Sequence, residues 1–317
     1  MIIDNSTYSV RARTAEEAMP RLKAMVDWAQ DLDRITTVRR AKLDLDYTLT
    51  GGVTADALRT LAQPVPGLAD YVIGLEANGQ ATAAAETWGR HLDELQAHHA
   101  QKGSQAIRIG SKTMAVVGPR YQRVPHALLA ERALEAAQTG DWVPAALDAS
   151  QTRMQIMMRT ADPVLTVKDQ DIALTWITTN GQDGMTAFRS TMGLFTFVCT
   201  NGMMLGTSLY KERVIHTQGR LAAAIARAQP ATVETATISR VLNAAAEKPI
   251  SDLPESYRSW LKAQGLTQTT IDAVASNSTV YDGLNCITET AHRNYKGDTR
   301  DALERTAWAF AAKYTAA

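Results

Sequence analysis

Apolar side chains recur at Ala18, Leu22, Met25, Val26, Ala29 and Leu32, with arginines and aspartates between them. That spacing predicts an amphipathic helix over residues 15–33, started or interrupted near Pro20. From Arg39 to Leu49 the period drops to two, which predicts a strand with one wet face that ends at Gly51-Gly52. Residues 81–102 return to helical spacing as one helix, closed by Gly103. The middle of the chain then changes character. Short β-like runs at 106–109 and 112–117 flank the turn Gly110-Ser111, and a helix follows over 127–138. Further β-like runs occupy 154–159, 172–179, 186–190 and 193–200. Asn180-Gly181-Gln182-Asp183-Gly184 has the residues of a tight hairpin turn, in which Asp183 is expected to bond backbone N–H groups. Residues 221–228 and most of the chain beyond Thr232 are helical in pattern, with breaks at Pro249 and Pro254.

The expected fold is therefore α+β: a twisted, largely antiparallel sheet within residues 105–215, flanked by N- and C-terminal helices. Three regions are expected to form one compact domain. They are a mostly helical 1–104, a β-rich 105–230 and a helical 231–317.

Composition narrows the function classes. The 317 residues are 45% hydrophobic and carry 33 Lys+Arg against 33 Asp+Glu, which fits a globular chain with a real core and excludes disordered and collagen-like classes. The zero balance is uneven along the chain. Residues 101–230 hold 14 Lys+Arg and 9 Asp+Glu, so the β-rich region is basic on a more acidic helical frame. Such a surplus can follow a phosphate backbone, or it can be scattered solvated charge. Two cysteines, Cys199 and Cys286, are too few and too far apart for a disulfide scaffold or a four-cysteine zinc site. With no leader-like start and no apolar run of membrane-spanning length, a cytoplasmic protein with reduced thiols is expected.

Asp44-Leu45-Asp46-Tyr47-Thr48 and Gly297-Asp298-Thr299-Arg300-Asp301 resemble the first and last acidic motifs of haloacid-dehalogenase-type phosphatases. Those motifs need buried parallel strands, which read as continuous apolar runs. The residues before Asp44 and Gly297 are instead mixed and charged, so a metal-dependent phosphatase is disfavoured, and Asp298 is expected near a helix N-terminus. His91, His98 and His99 fall on one expected helix, where spacings of seven and eight separate them by two turns, too far to share a metal. Cys199 reads as a small buried hydrophobe. No catalytic triad order, phosphate loop or dinucleotide fingerprint is present, and neither a catalytic residue nor a cofactor is assigned.

Cations gather where strands end: Lys112, Arg120, Arg123, Arg189, Lys211, Arg213 and Arg220. Lys211, Arg213, His216 and Arg220 form either a phosphate-contact strip or a solvated loop. Arg120 and Arg123 around Tyr121 either track and stack on a single strand or leave Tyr121 in the core with the arginines outside. Asn201 opens a turn after an apolar strand. Asn285, Glu289 and His292 share one helical face, as a buried polar network or an exposed site.

An ordered set of motifs runs through this region. Val116-Val117-Gly118 leads to Tyr121 and Val124, followed by Asn180-Gly181-Gln182-Asp183-Gly184 and Val198-Cys199-Thr200-Asn201. His216-Thr217 and Asn285-Cys286-Ile287-Thr288-Glu289 complete it. The set resembles the phage- and plasmid-borne family called domain of unknown function 932, over residues 112–292, with Met203-Met204 standing where many relatives carry Thr-Leu. The resemblance implies a protein of phage or plasmid DNA metabolism. The function expected is non-enzymatic binding of single-stranded nucleic acid in recombination or replication, through phosphate contacts and stacking, for annealing, by a homo-oligomer. The alternative is a phage protein that binds and modulates a host enzyme or defence factor.

Overall fold

The apolar stripe of the first helix runs unbroken across Pro20, and so does the helix. In the computed structural model α1 spans Ala15–Ile35, with Ala18, Leu22, Met25, Ala29 and Leu32 all buried, so a single lost backbone hydrogen bond at Pro20 is outweighed. The structure describes residues 8–11, 15–40, 52–196, 204–216, 219, 221–228, 236–250, 253–295 and 297–316. Asp44, Cys199, Asn201 and Arg220 lie outside them, as do the side chains of Lys211, His292 and Asp298. The strand expected from Arg39 is described as far as Arg40.

Two antiparallel sheets organise the described residues, where the sequence suggested one. The larger joins β1 (Tyr8–Arg11), β5 (Trp142–Ala149), β6 (Arg153–Thr160), β8 (Gln170–Gly181), β9 (Phe188–Thr196) and β10 (Met204–Val214) in that order, with β7 (Leu165–Val167) pairing β8. The smaller is β2 (Thr36–Arg40), β3 (Gln105–Ile109) and β4 (Lys112–Val117). Strands from the N-terminal region thus enter both sheets. The two runs expected at 186–190 and 193–200 are, as far as described, the single strand β9, which passes through Gly193.

Alternation along the large sheet decides its faces. Met154, Ile156 and Met158 of β6, Leu174 and Trp176 of β8, and Phe188, Met192 and Leu194 of β9 all enter the main core. They meet α1, α6 (His126–Gln138), α7 (Leu221–Arg227), α8 (Ala236–Glu247), α9 (Glu255–Ala263), α10 (Gln268–Ala275), α11 (Val280–Asn294) and α12 (Gly297–Ala316). Asp298 is thereby the second residue of a helix, as its sequence context suggests. Around the small sheet, Val116 packs into a separate cluster built by α2 (Ala55–Leu61), α3 (Leu68–Ala77), α4 (Ala81–Arg90) and α5 (Leu92–Lys102). The single helix expected over 81–102 is therefore two, broken at His91 (φ −106°, ψ 1°). Trp88 and Leu95 are both fully buried across that break.

Candidate functional site

The segment after β4 crosses from the small sheet to α6, and there the scattered motif residues meet. Asn180, at the end of β8, is fully buried. Its amide donates to the Val124 carbonyl (2.9 Å) and to Nδ1 of His126 (3.2 Å), which leaves the His126 proton on Nε2. Gly181 follows, and a Cβ there would collide with Thr186 Cβ and come within 2.9 Å of Asp183 Oδ1. Gln182 accepts from Arg123 Nε (3.1 Å) and donates to Asp33 (3.3 Å), so it bridges the Arg123–Asp33 ion pair. The other oxygen of Asp33 accepts the N–H of Ala127 in the first turn of α6 (2.8 Å), a favourable place for a carboxylate. Asp183 accepts from the N–H groups of Met185 (2.9 Å) and Thr186 (2.7 Å), from the Thr186 hydroxyl and from Arg153 Nε (2.5 Å). Gly184, at φ +73°, lies against Val117 of the small sheet.

The Asp183 contacts are those expected from sequence, but the turn is longer than a tight hairpin. Asn180 and Gly181 still belong to β8, and residues 182–187 make the connection.

Tyr121 and His216 join the same seam. Their rings stack with centroids 4.9 Å apart and planes within 3°. His216 Nδ1 donates to the Gln122 carbonyl (2.9 Å), while the Gln122 N–H donates to the His216 carbonyl (2.7 Å). Tyr121 donates to the Gly181 carbonyl and packs on the small-sheet cluster of Ile107, Ala115 and Val117. Titration follows burial here. Desolvation, with Arg123 nearby, drives His126 down to about 3, and it also lowers His216. Burial pushes the Tyr121 phenol up, with the Asp183 carboxylate adding to it. For Asp183 burial acts upward, but the bonds from Arg153, Thr186 and Met185 together hold it below the ordinary carboxylate value.

The expected cations fall into different places. Arg123 is largely buried and compensated by Asp33, Arg120 is exposed, and Lys112 sits in the small sheet opposite Ile109. Arg189 and Arg213 come together: they are directly opposite in the β9–β10 ladder, and Lys211 stands two positions from Arg213, opposite Thr191. In register with Arg189 lie Thr179 of β8 and then Gln155 of β6. Gln155, Thr179, Arg189 and Arg213 do not join the hydrophobic core. Thr179, Gln155 and Arg189 are half-buried and Arg213 is exposed, so the large sheet's second face carries a polar row flanked on β6 by Arg153 and Arg159. Sequence reading missed Arg153 and Arg159, although the alternation Arg153, Gln155, Met157, Arg159 announces one face of a strand.

On α11, Glu289 is exposed and pairs with Arg293 one turn on, while the Asn285 side-chain oxygen is buried without a hydrogen bond. His292, the third member of the expected polar network, has its side chain outside the described residues. His99 is buried between Ser104 Oγ (2.9 Å) and the Leu61 carbonyl (2.8 Å), a structural pairing. Among the described residues there is no cluster of three metal-ligating side chains, and no helix is long and apolar enough to cross a membrane.

A model of the family described as Domain of unknown function (DUF932) matches residues 113–315, which carries the resemblance on through α12. No curated protein and no solved structure matches the chain.

Proposed function

The chain belongs to this family of unknown function, and we propose that it binds single-stranded nucleic acid across the second face of its large sheet. It holds the strand for annealing in recombination or replication, without catalysing a reaction. The observation that carries the reading is the row Gln155, Thr179, Arg189 and Arg213, which crosses four neighbouring strands. A phosphate oxygen that reaches both guanidinium groups would accept charge-assisted hydrogen bonds from each. Thr179 and Gln155 extend the row with neutral hydrogen-bonding groups, which suits contact with phosphate and sugar without base identity.

Anisotropy of a labelled oligonucleotide, titrated at several salt concentrations, tests this. Affinity is expected to fall with salt, and the double variant Arg189→Ala, Arg213→Ala should flatten the log–log slope by about 1.4, at about 0.7 for each lost single-strand phosphate contact. No binding by the wild-type protein at low salt overturns the proposal.

A further inference from the structure

The loop that leaves β8 presents an apolar tip. Met185 is 71% exposed, more than any other large hydrophobic among the described residues. A single exposed methionine on a loose loop would need no explanation. This one is held from every side. Its own N–H and that of Thr186 are fixed by Asp183, and the Gln182 N–H donates to the Thr152 carbonyl (2.6 Å). Gly184 rests on Val117, and Gly181 lets Thr186 close in. The backbone is fixed while the side chain has no core to enter.

Its neighbours are those of the polar row. Arg153 bonds the same Asp183 that holds the Met185 N–H. The last rung of the β9–β10 ladder is Phe188 with Val214, and the next rung inward is Arg189 with Arg213. Ile215, 45% exposed, follows Val214 at the same end of the sheet. An apolar tip on a fixed loop therefore stands at the β8–β9 end of the sheet, just beyond the polar row that carries Arg189 and Arg213. Nucleic acid combines those two chemistries, with anionic phosphates along one side of the chain and flat, polarisable bases along the other. Thioethers pack well on aromatic edges and faces, and methionine is among the side chains that wedge between base steps.

We infer that Met185 is a wedge that packs against the bases of a bound single strand and separates neighbouring bases, while Arg189 and Arg213 hold the phosphates. This rests on the binding reading above, and its failure is separable from the failure of that reading.

The probe is an oligonucleotide carrying 2-aminopurine between purines, whose fluorescence rises when the base loses its stacked neighbours. Saturating wild-type protein is expected to raise the signal several-fold. Met185→Ala should still bind, with a salt slope unchanged, yet lose most of the rise, and Met185→Leu, which keeps the apolar volume, should restore it. The Arg189→Ala, Arg213→Ala protein should bind more weakly but give the full rise once saturated. Binding with no rise, or an equal rise with Met185→Ala, overturns the wedge and leaves the binding face standing. A Met185→Ala protein that changes its oligomeric state but not the fluorescence assigns the tip to contact between copies, and also overturns the proposal. Absence of any binding defeats the underlying reading.

Discussion

His126 is wholly buried with its Nδ1 already accepting from Asn180, so a second proton on the ring would have no acceptor beside it. The groups that reach it are Arg123 and His216, which oppose a positive charge, and Asp183, which favours one. Burial dominates and brings the ring down to about 3 from an ordinary 6.5. The unfolded chain therefore holds more protons than the folded one between those values. Stability is complete above the ordinary value and is lost as pH falls below it, by up to about 1.4 kcal/mol per pH unit for one proton. His216 shifts in the same direction and steepens the loss. Urea titrations at neutral and mildly acidic pH should show this fall, and His126→Gln should flatten it. Equal pH dependence in the two proteins would mean that His126 titrates as if exposed. Gly181 is the other single residue on which the seam depends. Alanine there meets Thr186 and Asp183, so Gly181→Ala should cost about 1–3 kcal/mol of stability, the range of overpacking, read as a lower urea midpoint.

Among the elements, the β7–β8 hairpin shows how a costly turn is held. Lys168 (φ 48°) and Asp169 (φ 60°) both take the left-handed conformation that two-residue hairpins require and that Asn-Gly adopts more easily. Lys168 offsets that strain by reaching across to α11, where Nζ donates to Thr279 Oγ1 (2.7 Å) and to Asp282 (2.9 Å). Thr279 is also the N-cap of α11, and Tyr281 donates to Gln170, so the start of α11 docks a hairpin. Burial acts upward on Asp282, but the Lys168 and Thr279 bonds outweigh it and hold it low. Lys168→Met should raise the Asp282 titration toward its ordinary value, followed by carboxyl NMR, and cost about 0.5–1 kcal/mol, since the pair is a third exposed. Elements with a clean period were legible in the sequence: α1, β3, β4 and β8 fall where alternation or helical spacing puts them. β5 was not, because Pro144 reads as a breaker. In the structure it sits where the β5–β6 register shifts, a place where a strand tolerates the missing donor. The Asn180–Gly184 motif could be seen as a turn from its residue types. That its Gln182 would bridge Arg123 and Asp33 could not, because those partners are 59 and 149 positions away and no local pattern encodes them.

At the scale of the whole molecule, one carboxylate ties the N-terminal region to the part the family model covers. Asp33, near the end of α1, precedes the matched residues 113–315, yet it takes Arg123, Gln182 and the start of α6 at once. The two sheets meet at this point, with Gly184 on the small one and Asn180 in the large one, so the ion pair is a coupling between them. Both partners are largely buried, with 13% and 19% of their side chains exposed. Removing one partner of such a pair leaves the other charge uncompensated, which costs about 3–5 kcal/mol. Asp33→Ala should therefore destabilise by about that amount, more than Arg123→Ala, because it also releases Gln182 and the Ala127 N–H. Asp33→Asn, which keeps a hydrogen-bond acceptor but not the charge, should fall between Asp33→Ala and wild type. The Asp33→Ala, Arg123→Ala double variant should lose less than the two single losses together, since neither charge is then stranded. Urea unfolding of the wild type and the four variants measures the coupling. Simple additivity would mean that the pair is screened by water and that the sheets are held by their apolar contacts alone.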